Sequence, residues 1–154
     1  GFYSAGDFLQ AIAEQIADFR PDVVFAPDPD GKSECHPDHL NVGRVAKELA
    51  LTAGNEGIMK ARGLRAAPVR ALALYMTADA NRFVKTDGYL GVQLESIFGY
   101  HKSQFPGGSE SEKMIRFYLK LRAADFGLRS LCKTAEGFRV MGPVQMHCLP
   151  EAGR

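Results

Sequence analysis

The sequence predicts an α/β fold, specifically a Rossmann-like three-layer α/β/α sandwich. Segments with helical spacing alternate with short apolar runs, and the first of these runs leads directly into a polar loop. Such alternation is typical of parallel sheets that are covered by helices. The 154 residues are 45% hydrophobic and 24% charged, which is enough for one compact core. We therefore predict a single α/β domain over residues 1–154.

The chain is predicted to open with a helix and a strand. Ser4 and Asp7 form a Ser-x-x-Asp start signal, and apolar residues then recur at helical spacing until Pro21 ends the pattern. The run Asp22–Ala26 is short, β-branched and bounded by prolines. These features predict a buried strand of a parallel sheet.

A polar loop and a second helix follow this strand. Residues 27–35 contain two prolines and a glycine, which cannot extend either neighbouring element. Apolar residues from Leu40 to Leu49 recur at helical spacing and predict a helix that ends near Gly54. Because open α/β sheets bind ligands at the carboxyl edge of their strands, this loop lies where a site is expected.

The later segments continue the alternation, while residues 55–67 show only a weak pattern. Val69–Met76 predicts a second strand, and Phe83–Thr86 predicts a short third one. The remaining predicted elements are a helix from Leu90 that runs towards His101, a helix from Ser111 with Met114, Ile115, Tyr118, Leu121 and Phe126 on one face, and a strand over 137–141.

The net charge and the cysteine content indicate which partners and which cell compartment to expect. Lysine and arginine number 19 against 18 acids, for a net charge of +1, so the overall charge does not favour nucleic acid or an anionic membrane. No apolar run approaches the roughly 18 residues of a membrane span. The three cysteines are odd in number and widely spaced, which favours a reducing, cytoplasmic location. A small-molecule substrate is the better expectation.

The run His36-Pro37-Asp38-His39 is the strongest candidate site. Proline is favoured at the first position of a helix, so His36 is predicted as the cap, with Asp38 and His39 in the first turn. The positive helix end favours a neutral His39 that can donate a lone pair to a metal. For an isolated His-x-x-His pair, a plain helix cap with a surface histidine is the favoured interpretation. The position at the carboxyl edge of a predicted buried strand makes a functional site equally favoured. A zinc hydrolase also needs about three protein ligands, so the run does not complete a site.

The chain resembles the PIG-L/LmbE family of zinc-dependent de-N-acetylases, which remove acetyl groups from N-acetylglucosamine-type substrates. The stretches that carry the resemblance are Arg20–Val24, His36–His39 followed by a helix, Tyr75–Thr86, His101–Gln104 and Ala135–Arg139. It implies a hydrolase in which metal-bound water attacks the acetamide carbonyl, with Zn²⁺ or another divalent transition metal as cofactor. His39 would be the zinc ligand, and His36 would stabilise the oxyanion or act as general acid, tuned by Asp38.

One family motif, His-Pro-Asp-Asp-Glu, does not occur in this sequence. In the family it supplies the other ligands and the general base. We therefore expect an N-terminally truncated, C-terminal portion of such a domain, which binds zinc weakly and catalyses poorly alone. Its expected partners are the missing N-terminal segment, a second copy in a homo-oligomer, and an N-acetylated amino sugar. The alternative is a non-catalytic ligand-binding remnant, or a subunit whose fold is completed by another polypeptide.

Four polar residues outside the motif are candidates for contact with substrate. Asp28 and Asp30 lie in the loop, where they could contact a sugar hydroxyl or a metal; the alternative is a pair of solvated loop acids. His101 and Gln104 end a predicted helix, and the alternative for them is an interaction with the carbonyl groups or the negative pole of that helix end.

Two residues near the last strand are predicted to have a structural role. Glu136 and Arg139 are expected to form an ion pair or a contact at the rim of the site. Neither is predicted to take part in the chemistry.

Overall fold

Helices and strands are interspersed along the chain in a computed structural model, which describes residues 4–100 and 107–147. The described residues form a mixed α/β fold, as predicted, with one four-stranded sheet in the order β1-β2-β4-β3. The three-layer sandwich stays a prediction. The elements are α1 (Ala5–Phe19), β1 (Val23–Pro27), α2 (Pro37–Thr52), α3 (Glu56–Ala61), β2 (Ala71–Tyr75), β3 (Arg82–Lys85), α4 (Leu90–Tyr100), α5 (Glu110–Arg129), β4 (Ala135–Met141) and α6 (Pro143–His147).

The chain divides into two compact units. The first comprises the chain as far as Arg82 together with the chain from Phe138 onward, and the second comprises Phe83–Gly137. The single domain over 1–154 stays a prediction. None of the helices in the described ranges is long and apolar enough to cross a membrane.

The first helix begins at the predicted signal. The Ser4 side chain accepts a hydrogen bond from the Asp7 N–H at 3.3 Å, and the Asp7 carboxylate accepts one from the Ser4 N–H at 2.8 Å. This reciprocal pair is a capping box, which satisfies two backbone donors that the helix itself cannot. The helix ends at Arg20, whose backbone is left-handed and whose N–H donates to the Ile16 carbonyl.

The second helix packs against β1 and β2, and its buried face is part of the core of the first unit. Leu49 of α2 and Leu72 and Leu74 of β2 are fully buried there. A Cβ atom at Gly43 would lie 2.5 Å from the Pro27 carbonyl oxygen. Because a Cβ atom does not pack that closely against a carbonyl oxygen, α2 reaches the carboxyl end of β1 only with glycine at this position.

The sheet is mixed. β1 and β2 are parallel, whereas β4 runs antiparallel to β2. The prediction of a buried strand in a parallel sheet was right in part: β1 is parallel to β2, but it lies at the edge of the sheet and only its last two residues are buried. Ala26 is buried in the core that α2 covers, but Phe25, which points to the opposite face, is 61% exposed.

Two short helices were not predicted, and one helix begins earlier than predicted. The helices Glu56–Ala61 and Pro143–His147 have six and five residues, too few to show a periodic pattern. The long helix is capped by Ser109, whose side chain accepts the Glu112 N–H, rather than by Ser111.

The predicted apolar face of α5 was wrong in part. Phe126 is buried and Ile115 is half-buried, while Met114, Tyr118 and Leu121 are all more than half exposed. Each helical residue turns by about 100°, so residues 115 and 126 share one direction and the exposed three form a different stripe. The sequence contains both stripes but does not say which one packs inward.

Candidate active site

The His-Pro-Asp-His motif lies at the carboxyl edge of the two parallel strands. Pro27 at the end of β1 pairs with Tyr75 at the end of β2. The Asp28 N–H then donates to the Tyr75 carbonyl at 2.9 Å, which ties the start of the loop to β2. Met76, the next residue after β2, has φ of 57°. A left-handed methionine is uncommon and marks a constrained turn beside the loop.

His36 caps α2, as predicted. Its Nδ1 accepts a hydrogen bond from the Asp38 N–H at 3.3 Å, and Pro37 occupies the first helical position. A backbone N–H can only donate, so Nδ1 must be the unprotonated nitrogen of this ring. A neutral His36 therefore carries its proton on Nε2, which makes that atom a hydrogen-bond donor.

His39 has the opposite arrangement. Its Nδ1 lies 2.9 Å from Glu34 Oε2, and its ring stacks on the His36 ring with centroids 4.6 Å apart. An ionised carboxylate can only accept, so His39 Nδ1–H is the donor. A neutral His39 then carries its lone pair on Nε2, the atom through which it could bind a metal.

Glu34 is a site residue that the sequence reasoning missed. Burial raises the pKa of Glu34, but hydrogen bonds from the His39 ring and from the His36 and Cys35 backbone, with the charge of His39, together hold its pKa below the ordinary value of 4.5. The carboxyl group is therefore ionised at neutral pH. An acid two residues before a predicted cap is a signal that could have identified it, because the N-terminus of a helix attracts negative charge.

Asp28 and Asp30 both bind Arg139. The Arg139 Nη2 lies 2.9 Å from Asp28 Oδ1 and 2.5 Å from Asp30 Oδ2, and Lys47 Nζ lies 2.8 Å from Asp30 Oδ2. The hydrogen bonds from Lys47 and then Arg139 hold the pKa of Asp30 below its usual range. The Asp28 side chain is 2% exposed, so it is not a solvated loop acid. Contact of either acid with substrate stays a prediction.

The predicted structural ion pair forms between Arg139 and the two aspartates, rather than between Arg139 and Glu136. Three positions separate Glu136 from Arg139 on β4, and alternate side chains of a strand point to opposite faces. In the second unit, Glu136 accepts a hydrogen bond from Gln93. Both residues line an open pocket of about 290 Å³ together with Tyr89. The predicted substrate residues His101 and Gln104 lie outside the described residues.

The donor set fits one zinc ligand. Within residues 4–100 and 107–147, no group of three or more histidine, cysteine, aspartate or glutamate side chains is arranged to hold a metal. His39 nevertheless has the chemistry of a ligand, because a histidine that binds metal usually donates its other ring N–H to a carboxylate. Glu34 is in that position relative to His39.

Solved structures resemble this chain, although no protein-family model matches it. One is N,N'-diacetylchitobiose deacetylase from Pyrococcus horikoshii complexed with its inhibitor MPG, with 28% identity, a TM-score of 0.76 and coverage of 94% of this chain and 54% of that one. Another is the conserved protein TT1542 from Thermus thermophilus, with 22% identity, a TM-score of 0.66 and coverage of 97% and 64%. The second likeness shows the fold alone.

The chain thus shares its mixed α/β fold with a solved deacetylase. It spans 54% of that deacetylase and 64% of the Thermus protein. In both cases it matches less than two thirds of the similar chain.

Proposed function

We propose that this chain is part of a zinc-dependent deacetylase that hydrolyses the acetamide of an N-acetylglucosamine-type sugar or its conjugate. One observation carries the proposal. Two histidines stack at the carboxyl edge of β1, and Nδ1 is a hydrogen-bond acceptor in His36 but a donor in His39. The likeness to a deacetylase, at a TM-score of 0.76, supports the reaction class. The substrate of that protein, N,N'-diacetylchitobiose, is the first one to test.

The two histidines take different roles in this proposal. His39 would hold zinc through Nε2, the ring nitrogen that is not bonded to Glu34. The bound metal would polarise the acetamide carbonyl and lower the pKa of a water molecule. His36 donates a hydrogen bond from its Nε2–H to the oxyanion that develops on the carbonyl oxygen, and the general base gives the leaving amine the proton that it took from water.

Asp38 supports His36 in two ways. Its backbone N–H holds His36 Nδ1 as the acceptor, and its carboxylate lies in the first turn of α2, where it stabilises positive charge on a neighbouring imidazole.

The remaining ligands and the general base are proposed to come from a segment with a His-Pro-Asp-Asp-Glu motif, which these 154 residues do not contain. The support is that the described residues present one histidine as a ligand, while a catalytic zinc needs about three. This segment, or a second copy of the chain, is the proposed partner. A cytoplasmic location is also proposed, supported by the free thiols of Cys35 and Cys132.

The test uses the longest natural polypeptide that contains this chain, loaded with zinc and given N,N'-diacetylchitobiose. His39→Ala should lose bound zinc and activity together. His36→Ala should keep its zinc, while kcat falls by about 100-fold to 1,000-fold, the usual effect of removing one oxyanion donor. His147→Ala, an exposed histidine on α6, is the matched control and should change neither.

Two results would contradict the proposal. Zinc content and kcat that survive His39→Ala would remove His39 from the ligand set. A zinc-loaded wild-type protein that releases no acetate from any N-acetylated amino sugar would favour the second candidate, a subunit whose fold is completed by another polypeptide. The exposed Val23 and Phe25 on the edge strand favour that candidate, because an exposed edge strand can pair with a strand of another polypeptide.

A further inference from the structure

We propose that Glu34 is the positioning residue of the histidine pair, and that its carboxylate fixes the ring orientation and the tautomer of His39. Oε1 accepts the backbone N–H of His36 at 2.7 Å, and Oε2 accepts His39 Nδ1–H at 2.9 Å. A single side chain thus holds both the backbone of one histidine and the ring of the other.

The surroundings of Glu34 favour a fixed rather than a mobile carboxylate. Its side chain is 13% exposed, against 43% for His39. Its own N–H donates to the Gly31 carbonyl at 3.1 Å, which closes a turn in the loop. Both carboxylate oxygens are occupied, so rotation of the side chain would break two hydrogen bonds at once.

Glu34 also makes the two histidine rings differ in which nitrogen carries the proton. The His36 ring is held by a donor, the Asp38 N–H, and therefore keeps its proton on Nε2. The His39 ring is held by an acceptor, Glu34, and therefore keeps its proton on Nδ1. The value of this difference for metal binding rests on the proposed function. The tautomers themselves do not depend on it.

The first measurement needs neither zinc nor substrate. Long-range ¹H–¹⁵N spectra of the metal-free full-length protein, labelled with ¹⁵N-histidine at about pH 8.5, distinguish the two tautomers of a neutral ring. We expect Nδ1–H for His39 and Nε2–H for His36, assigned with His39→Ala and His36→Ala. In Glu34→Ala, His39 should change to the Nε2–H form, which predominates in an imidazole without a partner, so that the two rings become alike.

Glu112→Ala is the matched control. The Glu112 side chain is also 13% exposed and also accepts both a backbone N–H, from Gly108, and a side chain, from Arg116. This variant should leave the His39 spectrum unchanged. A wild-type His39 that carries its proton on Nε2 would overturn the inference without any variant, and so would a Glu34→Ala protein that keeps the Nδ1–H form.

The second measurement is zinc affinity by competition with a chromophoric chelator. Glu34→Ala should weaken zinc binding by about 10-fold to 100-fold, the usual effect of removing the carboxylate behind a histidine ligand. An unchanged affinity would overturn the positioning role. If the tautomers change as expected but the wild-type protein binds no zinc, the proposed function fails and the tautomer assignment stands. If the protein is a deacetylase but the His39 tautomer is the same in Glu34→Ala as in the wild type, the proposed function stands and only the inference about Glu34 fails.

Discussion

Asp28 and Asp30 bind the same guanidinium group in different surroundings. The Asp28 side chain is 2% exposed and that of Asp30 is 49% exposed. Arg139 is itself mostly buried, and its Nε has no hydrogen-bond partner among the described residues. Removal of one charge from a buried pair leaves the other charge uncompensated, whereas an exposed pair is replaced by water. Most of the energy of this network therefore depends on Asp28.

We expect Asp28→Asn to lower the free energy of unfolding by about 3 kcal/mol, because it leaves the buried Arg139 with half of its counter-charge. Urea denaturation at pH 7 measures this change. Asp125→Asn, which removes an exposed pair with Arg129 on α5, is the control and should cost less than about 0.5 kcal/mol. Equal losses in the two variants would contradict the special position of Asp28.

At the scale of the helices and strands, local signals predicted the elements well. The capping box at Ser4 and the proline after His36 each fix a helix start through neighbouring residues, and both starts were predicted. The contacts that complete the site are less accessible to sequence reasoning. Arg139 binds Asp28, although the two residues are 111 positions apart in the sequence. Glu34 contacts His39 only because the loop turns back on the helix. Local periodicity contains neither contact.

The packing of α2 on β1 leads to a prediction at Gly43. Alanine would normally stabilise a helix interior by about 1 kcal/mol relative to glycine. Here the added methyl group would lie 2.5 Å from the Pro27 carbonyl oxygen and 2.8 Å from Pro29 Cδ. We expect Gly43→Ala to lower the free energy of unfolding by about 2 kcal/mol, because the helix must move away from the strand.

The control for this substitution is Gly6→Ala on α1. An added methyl group there meets only Ser4 Oγ, at the ordinary distance of 3.6 Å. This variant should be neutral or slightly stabilising in the same thermal or urea unfolding experiment. A Gly43→Ala protein as stable as the wild type would show that α2 does not depend on this close approach.

At the scale of the whole molecule, carboxylates dominate the pH response. Among the residues that the structure describes, hydrogen bonds hold the pKa of five carboxyl groups below the ordinary value, and these lie in both units. The five are Asp7, Asp30, Glu34, Asp87 and Glu112. A carboxyl group whose pKa is lower in the folded than in the unfolded chain stabilises the folded state above its unfolded pKa. That contribution disappears as the pH falls through the folded pKa, so acid should destabilise the protein progressively.

Asp30 offers the clearest test of this pH dependence, because its partners Lys47 and Arg139 both lower its pKa from the ordinary value of 3.8. We expect Asp30→Asn to cost about 1 kcal/mol between pH 5 and pH 7, a modest value since half of the side chain is exposed. The difference from wild type should be constant in that range and should shrink below pH 3.8. Urea denaturation over a pH series measures it, with Asp22→Asn, which removes a 3.6 Å exposed contact with Arg70, as a control of small effect. A difference that instead disappears near pH 6 would assign the response to a histidine and contradict the role of Asp30.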